Sequence, residues 1–262
     1  MILLSTYIAI GLVAGFLAGL LGLGGGIVVV PALFFVYGWQ HFPPDVTMHL
    51  AVGSSLATAV FTSMTSTWAH HRRGAVRWPA FRQLVPGILL GGLLGGQIAD
   101  LLPSHALRIF FGGFEILVAI QLAMGLKPKP SRALPGAAGM SGIGLVFGTL
   151  SAVLGIGGGT MTVPFLVWCN FGIREAVATS AACGLPITLA GTIGHMIAGW
   201  HAASLPPAST GFVYWPAVAG IAALSVLTAP LGARAAHTLP VASLKRIFAL
   251  VVAVIGVRML FG

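Results

Sequence analysis

Gly22-Leu-Gly-Gly-Gly26, followed by Pro31, recurs 133 residues later as Gly155-Ile-Gly-Gly-Gly159, followed by Pro164. Both copies lie in strongly apolar stretches. Three adjacent glycines leave a helix poorly defined, and the proline five residues on has no N–H to give the preceding turn. Inside a bilayer, freed backbone groups are tolerated only where they face protein or a wet cavity. A hydrophobic segment interrupted in the same way in both halves of a chain is therefore a pointer to a transporter's substrate site.

Composition fixes the class independently. The chain is 57% hydrophobic and 6% charged, with a mean hydropathy of +1.01, which excludes a soluble domain with a polar surface. Its 262 residues allow about ten spans of roughly 20–25 residues, so any chemistry sits inside the bilayer. The formal charge of +9 does not imply nucleic acid, because the Lys and Arg residues fall in short loops between apolar runs, where orientation signals belong. Membrane lipid is the expected surrounding, and homo-oligomerisation is left open. Cys169 and Cys183 have neither zinc-like nor redox spacing and read as small packing residues. The amino terminus lacks a basic n-region and residues 5–33 have a counterpart deep in the chain, so the segment reads as retained.

The expected fold is an all-α integral membrane protein of two inverted repeats, each a Gly-broken re-entrant or paired short helix segment plus three transmembrane helices. Repeat 1 covers about 5–126, the Pro- and Lys-containing linker 127–135, and repeat 2 about 136–261, together one transporter domain. The spans are a broken segment at 5–22 and 26–38 with helices near 47–70, 79–101 and 104–125. They recur as a broken segment at 136–154 and 159–171 with helices near 175–199, 212–236 and 240–261. Ala51-Val-Gly-Ser-Ser55 aligns with Ala176-Val-Ala-Thr-Ser180, which places His70 on His195, and Trp78-Pro-Ala80 aligns with Trp215-Pro-Ala217.

Charge counting chooses a topology. If each broken segment goes in and comes back, Arg72, Arg73, Arg77, Arg82, Lys127, Lys129, Arg132, Arg174, Arg234, Lys245 and Arg246 share one face, leaving only Arg108 and Arg258 on the other. If each broken segment crosses once, the split becomes eight against five. The positive-inside rule favours the turn-back, with both termini away from the cytoplasm.

The half-helices that start after the glycines carry amides without intrahelical acceptors, and such N-termini bind anions without a basic side chain. Candidate substrate contacts are the amides of Gly24, Gly25, Gly26, Gly157, Gly158 and Gly159; close packing by small residues is the competing reading. Ser54, Ser55, Thr179 and Ser180 offer hydroxyls early in equivalent spans, and Ser55 and Ser180 are identical between repeats. His70 and His195 end equivalent helices and could contact an anion or relay a proton. Gln97 is a polar residue within a span. Glu115 is the acidic residue near mid-span, a candidate for ion coupling or for a structural pairing; its repeat equivalent is Val252. No Walker lysine, HExxH, nucleophile elbow or dinucleotide fingerprint is present, so neither an enzyme nor a cofactor is expected, and no metal site is assigned.

Gly19-Leu-Leu-Gly-Leu-Gly-Gly-Gly-Ile-Val-Val-Val-Pro31 and Ser151-Ala-Val-Leu-Gly-Ile-Gly-Gly-Gly-Thr-Met-Thr-Val-Pro164 resemble the TauE/SafE sulfite exporter family, also called the 4-toluene sulfonate uptake permease family. The resemblance implies transport of sulfur-containing anions such as sulfite, thiosulfate or organosulfonates across the cell inner membrane. The residues alone reach an anion-accepting, alternating-access secondary transporter. Eight histidines and scattered methionines suggest a metal-cation permease as the alternative, and a non-transporting membrane scaffold is the third class. The particular anion, the direction of transport and the coupling ion are not written in the sequence.

Overall fold

The computed structural model describes residues 2–21, 25–124, 131–235 and 241–262. Gly24 and linker residues 127–130 lie outside them. The described helices are α1 (Ile2–Leu21), α2 (Gly26–Trp39), α3 (Pro44–Arg72), α4 (Trp78–Asp100) and α5 (Ser104–Met124), then α6 (Ala137–Leu154), α7 (Gly159–Trp168), α8 (Ile173–Ala198), α9 (Trp215–Ala235) and α10 (Val241–Phe261). The fold is all-α and spans the membrane several times. Among the described residues, α3, α5, α6, α8 and the first part of α9 are long and apolar enough to cross a bilayer.

Local chemistry sets the boundaries. Pro44 and Pro79 lie in the first turns of α3 and α4, where the missing N–H costs nothing. Gly155 ends α6 in the left-handed region at φ 69°, the usual helix stop. Several boundaries differ from the sequence expectation by up to three residues: α1 and α3 begin at Ile2 and Pro44 rather than 5 and 47, and two further differences have a local cause. α7 stops at Trp168 rather than 171, because Asn170 turns the chain at φ 65°. α9 starts at Trp215 rather than 212, because residues 209–214 form a small hairpin of β1 (Ser209–Thr210) and β2 (Val213–Tyr214), turned by Gly211 at φ 53°.

Glycines govern how the helices pack. α4 carries two glycine faces: Gly87 and Gly91 press on the backbone of Ser141 and Leu145 in α6, while Gly92 and Gly96 press on Ala190 and Gly194 in α8. Leu90 and Leu94 point outward from the same helix, as a lipid boundary requires. Residue numbers rise together along both contacts, so α4, α6 and α8 run parallel. α1 and α9 also run parallel, with Gly11 against Ile221 and Gly15 against Ser225. α3 and α8 run antiparallel: Gly53 meets His195, Leu56 meets Gly191, Ser63 meets Gly184, and Thr67 Oγ1 donates to Ala181 O.

One bond occurs twice. The Tyr214 N–H, just before α9, donates to Ser54 Oγ at 2.9 Å, and the Arg77 N–H, just before α4, donates to Thr179 Oγ1 at 2.9 Å. Around the first bond, Tyr7, Tyr37, Phe42 and Tyr214 stack edge to face or in parallel at 5.0–6.5 Å between centroids. Beside the second, Arg77 pairs with Glu175.

Candidate functional site: the meeting of the two helix breaks

The breaks lie against each other. Gly26, the first residue of α2, sits so close to the Gly155 carbonyl and the Ile156 backbone that no Cβ would fit. Ser55 Oγ donates to Gly155 O at 2.9 Å, tying α3 to the end of α6. Gly25 O accepts from the Val28 and Val29 N–H groups, and Gly158 O accepts from Thr162 N–H at 2.9 Å. The amides ahead of those bonds, at Gly26 and Ile27 and at Gly159, Thr160 and Met161, belong to a helical first turn and have no intrahelical acceptor.

The surroundings of the two breaks differ. A small cavity beside the first is bounded by Gly15, Gly25, Gly26, Ser55, Thr58, Thr62 and Ser225. Its hydroxyls are engaged: Thr58 donates to Ser54 O, Thr62 to Ala59 O and Ser225 to Ala222 O. At the second break, Ser151, Thr160 and Thr162 are buried, and their hydroxyls have no partner among the described residues; the same is true of the buried Ser180 in α8. The tip of Ile187 covers Gly158. The sequence reading did not select Ser151, Thr160, Thr162, Thr62 or Ser225. The signal for the threonines was present in Gly159-Thr-Met-Thr162 against Gly26-Ile-Val-Val29.

Of the sequence candidates, Gly25, Gly26, Gly157, Gly158, Gly159 and Ser55 come together here. Ser54 and Thr179 instead anchor the chain entering α9 and α4. Gln97 Nε2 donates to Gly194 O at 3.1 Å and joins α4 to α8. His195 is fully buried beside Gly53, with Nδ1 donating to Gly191 O and Nε2 without a partner among the described residues. His70 is at the far end of α3, and because α3 and α8 are antiparallel the two histidines fall at opposite ends of the pair. Glu115 is fully buried where α5 crosses α10 beside Gly256, with neither carboxyl oxygen bonded among the described residues. Among those residues no three His, Cys, Asp or Glu side chains are grouped as a metal site would need.

Residues 7–259 match the family described as sulfite exporter TauE/SafE. The chain is 36% identical over 252 residues to a "probable membrane transporter protein" of Haemophilus influenzae, covering 95% of each chain. It is 32% identical over 212 residues to the "probable membrane transporter protein YunE" of Bacillus subtilis, covering 73% of this chain and 78% of that one. It also matches the "probable membrane transporter protein MamO" of Magnetospirillum gryphiswaldense, at 27% identity over 96% of this chain and 44% of the other. No solved structure matches. The helical spans and these bacterial relatives make the protein a multi-pass inner-membrane transporter and not an enzyme. The chain belongs to the TauE/SafE sulfite exporter family.

Proposed function

We propose that the protein is a secondary transporter of small sulfur-containing anions, such as sulfite, thiosulfate or an organosulfonate, working by alternating access between two inverted repeats. The observation that carries this reading is the contact of the two breaks, Gly26 on Gly155 and Ile156 with Ser55 bonded to Gly155 O, between the antiparallel α3 and α8. Open first-turn amides of two half-helices then converge where no basic side chain is needed. In this reading the open amides of the first turns of α2 and α7, beginning at Gly26 and Gly159, hold the anion.

Inversion draws support from the antiparallel α3 and α8, which are equivalent segments of the two repeats. A two-fold axis relating antiparallel neighbours lies across the helices, in the membrane plane. The turn-back at each break draws support from α6 and α8, which both run parallel to α4, so α7 returns the chain between them. The recurring N–H to hydroxyl bond fits two gates of equivalent position and different chemistry, aromatic at Tyr214 and ionic at Arg77. Breaking one while the other holds is the rocking that alternating access requires.

The test is uptake into proteoliposomes of radiolabelled sulfite and an organosulfonate, with nickel as the cation control. Anion uptake with no nickel uptake is expected. Nickel uptake without anion uptake would establish the cation reading instead.

A further inference from the structure

The two breaks are not chemically equal. Ser151, Thr160 and Thr162 at the second break correspond, 133 residues earlier, to Ala18, Ile27 and Val29. Three hydroxyls stand where the first break has three apolar side chains. Ser151 and Thr162 are 0% exposed and Thr160 8%, and none of the three hydroxyls has a partner among the described residues. Buried polar groups are nearly always bonded, so each such orphan calls for a partner. Thr162 Oγ1 lies 3.2 Å from the place a Cβ on Gly158 would occupy, so it points back onto the first turn of α7, whose amides are also open. At the first break the corresponding needs are already met, because Ser55, Thr58, Thr62 and Ser225 all donate to backbone carbonyls.

Charge limits what such a site can hold. No Lys or Arg occurs in residues 1–71 or 133–173, which include α1, α2, α6, α7 and nearly all of α3. The helices that form the breaks therefore bring no basic side chain of their own, and offer amides and hydroxyls instead. Removing an ion from water costs a penalty that grows with the square of its charge, so a dianion needs about four times the compensation of a monoanion. Neutral donors meet the smaller demand.

Resting on the anion-transport reading above, we infer that the second break is the anion seat, that Ser151, Thr160 and Thr162 donate to the substrate there, and that the seat selects a singly charged oxyanion. An organosulfonate or bisulfite fits; sulfate, thiosulfate and doubly ionised sulfite do not. Ile187, whose tip covers Gly158, must rotate away as the anion binds.

The experiment is calorimetric titration of the purified full chain with methanesulfonate, sulfate, thiosulfate and sulfite over a pH series. Methanesulfonate is expected to bind about tenfold more tightly than sulfate or thiosulfate, one lost charge-assisted hydrogen bond being worth about that factor. Sulfite affinity is expected to rise as pH falls and bisulfite replaces the dianion, while methanesulfonate affinity stays level and controls for titration of the protein. Sulfate binding as tight as methanesulfonate overturns the charge selection. Thr162→Val is expected to weaken methanesulfonate about tenfold, more than Thr58→Val does, and Thr162→Ser to restore it. An equal loss at Thr58, or no loss at Thr162 in a variant that melts like the parent, overturns the assignment to the second break. Absence of binding by all four anions overturns the inference together with the transport reading beneath it.

Discussion

Gly26 opens α2 and Gly158 immediately precedes α7, and the two tolerate different changes. A Cβ on Gly26 would overlap the Gly155 carbonyl and the Ile156 backbone, which have nowhere to go, whereas a Cβ on Gly158 meets the movable end of Ile187. Gly26→Ala is expected to abolish recovery of monodisperse protein by size exclusion. Gly158→Ala should fold and lose anion affinity, since the added methyl stands over the open amides of α7. Glu115 poses a different question. The sequence offers ion coupling or a structural pairing for it, with Val252 at the equivalent position, and neither carboxyl oxygen has a partner among the described residues. With no partner to lose among the described residues, Glu115→Gln is expected to fold normally and to flatten the pH dependence of methanesulfonate uptake, an anion that does not itself titrate, while leaving binding intact. A pH profile in the variant matching the parent would remove Glu115 from coupling.

Between elements, close glycine contact sets stability. Gly91→Ala drives a methyl into the Leu145 carbonyl and is expected to destabilise by about 1–3 kcal/mol, read as a lower melting temperature in detergent. Gly142 in α6 faces open space, so Gly142→Ala should be neutral or slightly stabilising through helix propensity. The ends of α3 and α8 make the second test. Glu175→Gln removes an exposed ion pair worth about 0–1 kcal/mol, so its effect should be small on stability and visible as greater labelling of a cysteine placed near Arg77. Ser54→Ala leaves the Tyr214 N–H without its acceptor and is expected to cost about 1–3 kcal/mol.

For the molecule as a whole, the proposed turn-back topology makes a labelling prediction. Cysteines at Arg73 and Lys129 should label from the cytoplasmic side and cysteines at either terminus from the other. Labelling of Arg73 and Lys129 from opposite sides would refute the turn-back at the breaks. Most helix positions were legible because apolar length, proline and glycine act within a few residues of chain, as at Gly155 and Trp78. The duplication was legible as well, since Gly22 to Pro31 and Gly155 to Pro164 are written with the same residue types. What escaped was non-local. The hairpin at 209–214 exists because Ser54, far away in the chain, takes the Tyr214 N–H, and periodicity carries no trace of that bond.

The sequence by itself determined the class, the family resemblance and the location of the two helix breaks, because hydropathy and backbone chemistry are properties of the chain at each point. Only the tertiary structure decided which hydroxyls are engaged. Ser54, Ser55, Thr179 and Ser180 read alike in one dimension, yet the first three are hydrogen-bonded and Ser180 has no partner among the described residues. Whether a hydroxyl is satisfied depends on which backbone group a neighbouring helix brings within 3 Å, and that is settled by the glycine contacts that pack α3, α4, α6 and α8.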